Sequence, residues 1–207
     1  MAKKLDPKRL RARARLIARR EAAAVEALAD QMDEGVGRVV ECLLACKGHI
    51  LVTGSGTSHA TALRMAHLLA CCGRPALYLS ATDCLHGGSG AVTAKDVIYI
   101  ISKGGRSAEI NQFAAIARDR GARIVAQTEK PDSPLALMSD VVYHVRTVGD
   151  VDPYDMIATG SSLVNGAAAD VVCVLLLEAT GYSKREFGKT HPGGAVGRAL
   201  AEKQDKS

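Results

Sequence analysis

The chain has no tryptophan, only two phenylalanines, and aromatic residues make up just 3% of its 207 positions. Proteins that read single-stranded nucleic acid stack bases on aromatic platforms, so this poverty argues against a nucleic-acid partner. Also lacking is any Cys-x-x-Cys pair among Cys42, Cys46, Cys71, Cys72, Cys84 and Cys173, and no signal peptide precedes them. A reduced, cytoplasmic protein with buried thiols is expected. The pairs Cys42/Cys46 and His67/Cys71 have the i,i+4 spacing of helical metal ligands, but packed core positions are the simpler reading and no metal is expected. No apolar run is long enough to demand a membrane. The most apolar stretch, about 161–179, is interrupted by Asn165 and Asp170 and reads as a core helix.

The formal charge of +5 misleads until it is located. Residues 1–20 hold nine Lys or Arg against one acid, Asp6, so they carry +8 and the other 187 residues sum to −3. A basic helical arm over 1–34 is therefore expected ahead of a domain over 35–207 whose charge is nearly balanced. The arm lacks bulky apolar anchors among its arginines, which favours a solvated or partner-packing role over a membrane-bound one. Apolar residues make up 47% of the chain and are mostly aliphatic, as suits a buried parallel sheet in one domain.

The organising stretch is Ile50–Ala60, ILVTGSGTSHA. A β-branched run stops at Gly54, followed by Ser55, Gly56, Thr57 and Ser58 and then an amphipathic helix. Strand, glycine turn and hydroxyl-rich helix start make an anion site: the backbone comes close, the first N–H groups are unpaired, and the dipole favours negative charge. No lysine follows Gly56, so a Walker A loop is excluded. His59 stands where a dinucleotide fingerprint wants a third Gly or Ala, and the next strand, 76–80, ends without a carboxylate, which argues against NAD. A phosphate on a small molecule remains, beside the plainer reading of a tight turn.

The rest of the chain alternates. Helices are expected over 6–30, 35–46 and 57–71, a strand over 76–80, and a loop carrying His86, Gly87 and Gly88. A buried strand, 97–101, runs into Ser102-Lys103-Gly104-Gly105-Arg106-Ser107 and a helix from about Ala108, repeating the first architecture. Strands at 123–127 and 141–145 flank a short helix at 133–138, and a loop over 150–158 leads to the long helix. Such alternation means an α/β fold with a parallel sheet covered on both faces, and two anion-friendly turns at carboxyl strand ends can share one crevice. Lys103 and Arg106 are the cations of the second turn.

The loops GSGTS and SKGGRS and the closing HPGGAVGRAL (191–200) resemble sugar isomerase (SIS) domains, and within them the arabinose-5-phosphate isomerases of the KpsF/GutQ type. The HGG at 86–88, Ser107-Ala108-Glu109-Ile110 and the HPGG at 191–194 carry the finer likeness. KpsF/GutQ enzymes usually add a pair of CBS domains; the chain ends at Ser207, like the shorter SIS-only members. The resemblance implies a three-layer α-β-α sandwich around a five-stranded parallel sheet, a dimer or tetramer with interface active sites, and cofactor-free, metal-independent aldose–ketose isomerisation of a sugar phosphate. It places His86, Glu109 and His191 in the active site, with Asp150 where relatives carry Glu and Thr57 where they carry lysine. Gly54, Ser55, Gly56, Thr57, Ser58, Ser102, Lys103, Gly104, Gly105 and Ser107 would hold the substrate.

Isomerisation through an enediolate needs a base, an acid for the carbonyl oxygen, and donors for the developing oxyanion. His191 or Glu109 would take the C2 proton, while His86 and Asp150 handle hydroxyl protons. Plainer readings stand beside these: Glu109 favours the helix dipole in any case, and Asp150 and Asp152 suit an ordinary loop. His49, His59, His67 and His144 fall at element ends and read as structural or solvated. The alternative function is a non-catalytic SIS module that senses a sugar phosphate.

Overall fold

A computed structural model describes residues 6–195 together with 197 and 198, so the SIS-like tail at 191–200 is only partly among them. Five parallel strands form one sheet: β1 (Ile50–Gly54), β2 (Ala76–Tyr78), β3 (Val97–Ile101), β4 (Arg123–Thr128) and β5 (Val141–His144), in the order β2-β1-β3-β4-β5. Ile50 lies opposite both Ala76 and Val97, and Val97 opposite Arg123, so β1–β4 start level, while β5 starts opposite Val125. The helices are α1 (Pro7–Glu26), α2 (Glu34–Leu44), α3 (Thr57–Cys71), α4 (Ala81–Cys84), α5 (Ala108–Asp119), α6 (Pro134–Met138), α7 (Thr159–Thr180) and α8 (Lys184–Thr190).

Strand residues alternate between two cores. Ile50, Val52, Val97, Tyr99 and Val125 face the layer of α2, α3 and α7, whereas Leu51, Ile98, Ile100 and Ile124 face α4, α5 and α6. Both faces are covered, and that is why β1 and β3 read as unbroken apolar runs. The three-layer sandwich expected from the sequence is the observed one. Burial pushes the Cys84 thiol up to about 11 and the Cys173 thiol up to about 12, as befits packed rather than reactive groups.

Some boundaries differ from expectation. The first helix ends at Glu26, and a 3-10 turn, Ala29–Gln31, follows. The chain turns there because Leu28 is buried and the Gln31 amide exchanges two hydrogen bonds with the Arg146 backbone, 2.7 and 3.0 Å. Within α1 only Ala24 is buried. Asp83 and Cys84, expected in the loop that carries His86, belong instead to α4, where the Ser80 hydroxyl accepts the Asp83 N–H at the helix start. By length and composition α7 could span a bilayer, but nine of its residues are buried against the protein, and an Arg64–Asp170 fork ties it to α3.

A buried polar chain fixes α7 to the sheet. The Tyr99 hydroxyl donates to Gln127 Oε1 (2.8 Å), Gln127 Nε2 donates to Asn165 Oδ1 (2.7 Å), and Asn165 Nδ2 donates to the Ser161 carbonyl (2.8 Å). All four residues are buried.

Candidate active site

In a sheet ordered 2-1-3-4-5 the strand order reverses between β1 and β3, and the crevice at their carboxyl ends is where such folds take ligands. Both glycine turns lie there. After β1, Gly54 allows an approach that a side chain would block, since a Cβ would stand 2.8 Å from the Ser58 carbonyl oxygen and 3.0 Å from that of Ile101. Gly56 sits at φ +59, a conformation only glycine takes easily. Helix α3 then starts with no side chain capping it, leaving Thr57 exposed and Ser58 half-buried at its first turn.

After β3 the second turn is braced from within. The Ser102 hydroxyl accepts the Gly105 N–H (3.2 Å), and the Lys103 carbonyl accepts from the Thr128 hydroxyl (3.1 Å) and the Glu129 N–H (3.0 Å). Gly105 is buried at φ +60, with the Ser133 side chain where a Cβ would be. Gly104 and Arg106 are exposed. Ser107 precedes α5 without capping it, so α5 also presents an uncapped start to the crevice.

One bond joins the two turns: the Ser55 hydroxyl donates to Glu109 Oε1 at 2.7 Å. That hydrogen bond first, and then Glu109's own backbone N–H, hold its carboxyl below the usual glutamate range. A charged carboxylate is thus fixed between two anion-seeking helix starts.

The other expected catalytic residues are not gathered around it. His86 is exposed just beyond α4 and makes no side-chain hydrogen bond among the described residues. Asp150 lies in the loop after β5, 85% exposed, and pairs with Arg20 of α1 at 3.1 Å. His191 stacks on Phe187 (ring centroids 3.7 Å apart), its Nδ1 3.0 Å from the Phe187 carbonyl oxygen and its Nε2 3.4 Å from Cys71 Sγ. Cys71 closes α3, whereas Thr57 opens it, and a helix of 15 residues is about 21 Å long. Within one protomer, His191 and Glu109 are therefore at opposite ends of α3. Cys71 also lies 3.6 Å from His67 Nε2, yet among the described residues no group of three or more His, Cys, Asp or Glu is arranged to hold a metal ion.

Asp152, which the sequence offers only as an ordinary loop acid, has a more definite place. Its side chain is only 4% exposed, and it accepts from the Ser161 N–H (3.2 Å), the Gly160 N–H and the Thr159 hydroxyl (3.3 Å) at the start of α7. Lys103 Nζ lies 3.5 Å from its other oxygen. Burial alone would push the Asp152 carboxyl up, but the contacts from Ser161 and Gly160 and the Lys103 charge together outweigh it and hold it below the usual range. The one signal available in the sequence was an acid a few residues before an uncapped helix.

Comparison with known proteins agrees with this fold. The chain is 32% identical over 180 residues to the arabinose 5-phosphate isomerase KdsD of Pseudomonas aeruginosa, a span of 87% of this chain and 55% of that protein. It is 28% identical over 176 residues to the arabinose 5-phosphate isomerase GutQ of Escherichia coli K12, again 55% of that protein. The chain thus spans about half the length of the curated relatives it matches. Among solved structures, a candidate sugar-phosphate isomerase from Listeria monocytogenes superposes with a TM-score of 0.88 at 31% identity, covering 92% of this chain and all of that one. An Escherichia coli CFT073 protein solved in complex with arabinose 5-phosphate superposes with a TM-score of 0.87 at 26% identity, covering 91% of this chain and all of that one. Residues 43–171, more than half of the chain and including both glycine turns and Glu109, match the SIS domain, and the protein belongs to that family.

Proposed function

We propose that the protein is a sugar-phosphate aldose–ketose isomerase that acts on a pentose phosphate of the arabinose 5-phosphate kind. The observation that carries this reading is the Ser55–Glu109 bond, which sets a charged carboxylate between two uncapped helix starts at the switch point of the sheet. The helix starts and the Ser55, Thr57, Ser58 and Ser107 hydroxyls bind the phosphate and sugar oxygens. A phosphate needs no acid or base, and a site that only bound one would gain nothing from a second anion. The carboxylate belongs to proton transfer. When a substrate oxygen takes over the Ser55 hydroxyl, Glu109 loses that bond and its basicity rises toward the ordinary carboxylate range, where it can take the C2 proton. The relatives named as arabinose 5-phosphate isomerases support the same chemistry and sugar class.

His191 completes the site from a second copy of the chain. Its own α3 keeps it about 21 Å from the glycine turn, so a homo-oligomer with sites between protomers is the arrangement that unites it with Glu109 and His86. In this reading residues 35–207 form the catalytic SIS domain and residues 1–34 a basic helical arm that packs on it through Ala24 and Leu28.

Proton NMR of the protein with pentose and hexose phosphates in D₂O tests the proposal. Interconversion of one aldose–ketose pair with loss of its C2 proton signal, abolished in His191→Ala, is the expected result. A sugar phosphate that raises the melting temperature yet neither exchanges nor converts would overturn catalysis in favour of a sensor.

A further inference from the structure

Asp150 and Asp152 stand two residues apart and go opposite ways. Asp150 is turned out to Arg20, whereas Asp152 is folded under the start of α7 and reaches Lys103. A carboxylate this buried is costly to leave charged unless it is paired and hydrogen-bonded. Here both conditions hold. The Gly160 and Ser161 N–H groups donate to it, and the Lys103 ammonium balances its charge.

The arrangement has two effects on the crevice. The start of α7 would itself attract an anion, and Asp152 already fills it. A ligand phosphate is thereby left to the starts of α3 and α5. Second, the first glycine turn, Gly54–Ser58, contains no cation, so positive charge must come from the second turn. Lys103 is held there at both ends, its carbonyl by Thr128 and Glu129 and its ammonium by Asp152. An ammonium has three donors, and one contact with Asp152 leaves two for a ligand; the side chain is 41% exposed. Asp152 is itself firmly seated, because Ser161 belongs to the buried chain that runs through Asn165 and Gln127 to Tyr99.

We propose that Asp152 is the positioning residue of this site, holding Lys103 at the edge of the second glycine turn so that its ammonium binds the phosphate of the substrate. The proposal rests on the sugar-phosphate reading above and names the cation of that site.

Two substitutions separate positioning from simple helix capping. Asp152→Asn keeps an oxygen that caps α7 nearly as well but loses the charge that holds the lysine. Lys103→Met keeps the aliphatic stem and removes the ammonium. The measurements are KM and kcat by NMR, calorimetric Kd for arabinose 5-phosphate and for unphosphorylated arabinose, and melting temperature. Each variant is expected to raise KM and Kd for the phosphorylated sugar by about tenfold or more, the value of one charge-assisted contact, with a smaller change in kcat. The double variant should bind no worse than Lys103→Met alone, since Asp152 acts through Lys103. Affinity unchanged in Asp152→Asn with only a lower melting temperature would overturn the proposal, as would effects that multiply in the double variant. Wild-type turnover with normal KM in Lys103→Met would sink the positioning role and spare the isomerase. A wild type that neither binds nor converts a sugar phosphate would sink both. Lys103 is partly exposed, so its variant tests the idea even where Asp152→Asn fails to fold.

Discussion

Gln127→Leu should be the most damaging conservative change in the core. The side chain sits at the centre of the buried polar chain, accepting from Tyr99 at 2.8 Å and donating to Asn165 Oδ1 at 2.7 Å. Leucine fills a similar volume but offers neither function, so a fully buried Tyr99 hydroxyl loses its acceptor and Asn165 Oδ1 loses its donor. Each orphaned buried group costs about 1–3 kcal/mol, giving about 2–5 kcal/mol together after a small gain from the added apolar surface. For a chain of this length each kcal/mol is worth about 2–4 °C, so the melting temperature should drop by roughly 4–20 °C. Urea unfolding followed by circular dichroism measures the free-energy loss, and a thermal melt the temperature shift. Tyr99→Phe alone strands Gln127 Oε1 and should cost about 1–3 kcal/mol. The double variant should cost less than the sum, because the two changes break the same bond. A loss under about 0.5 kcal/mol for Gln127→Leu would refute the reasoning, showing that Tyr99 and Asn165 find other partners.

Gly105→Ala forces a Cβ onto the Ser133 side chain at a positive φ; with strain of about 1–2 kcal/mol and disturbance of the Ser133 cap on α6, a loss of about 2–3 kcal/mol in urea unfolding is expected. Asp96 is buried and accepts from the His49 and Thr93 N–H groups and the Thr93 hydroxyl, which together outweigh burial and hold its carboxyl below the ordinary 3.8. Its folded pKa is depressed, so its stabilisation is full above 3.8 and is lost as pH falls through the folded value; Asp96→Asn should flatten the acid limb of stability against pH, and an unchanged limb would count against this account. Glu109→Gln should lower turnover on the order of 10²–10⁴-fold with little change in melting temperature. Ser55→Ala removes the leading contact that depresses Glu109 in the free enzyme, so the acid limb of kcat/KM against pH should move to higher pH; a shift the other way rules out an ionised Glu109 as the working form.

What the chain reveals before folding depends on how local the cause is. The runs Ile50–Thr53 and Val97–Ile101 and the bounds of α3 follow from patterning and glycine punctuation within a few residues, and they came out as expected. The short α4 depends on one serine cap, too weak a signal against the glycines that follow it. The two glycine turns and Glu109 were legible because strand, turn and helix start are one local unit. Nothing local distinguishes Asp150 from Asp152: their difference is burial, set by a lysine 49 residues away and by the start of α7. His191 shows the same limit. Its motif stands out in the chain, but its distance from Glu109 is set by the length of α3.

That length has a consequence for how the protein would behave in a mixture. Each protomer carries Glu109 and the first glycine turn at one end of α3 and His191 at the other, so under the proposed function every complete site would draw on two chains. Two inactive variants, Glu109→Gln and His191→Ala, spoil opposite halves. Co-assembled, they should form some sites with both halves intact and regain a sizeable fraction of wild-type turnover, while each alone stays silent. Dilution should act as an inhibitor, with specific activity falling as protomers separate, and a damaged copy would poison the sites of its neighbours as well as its own.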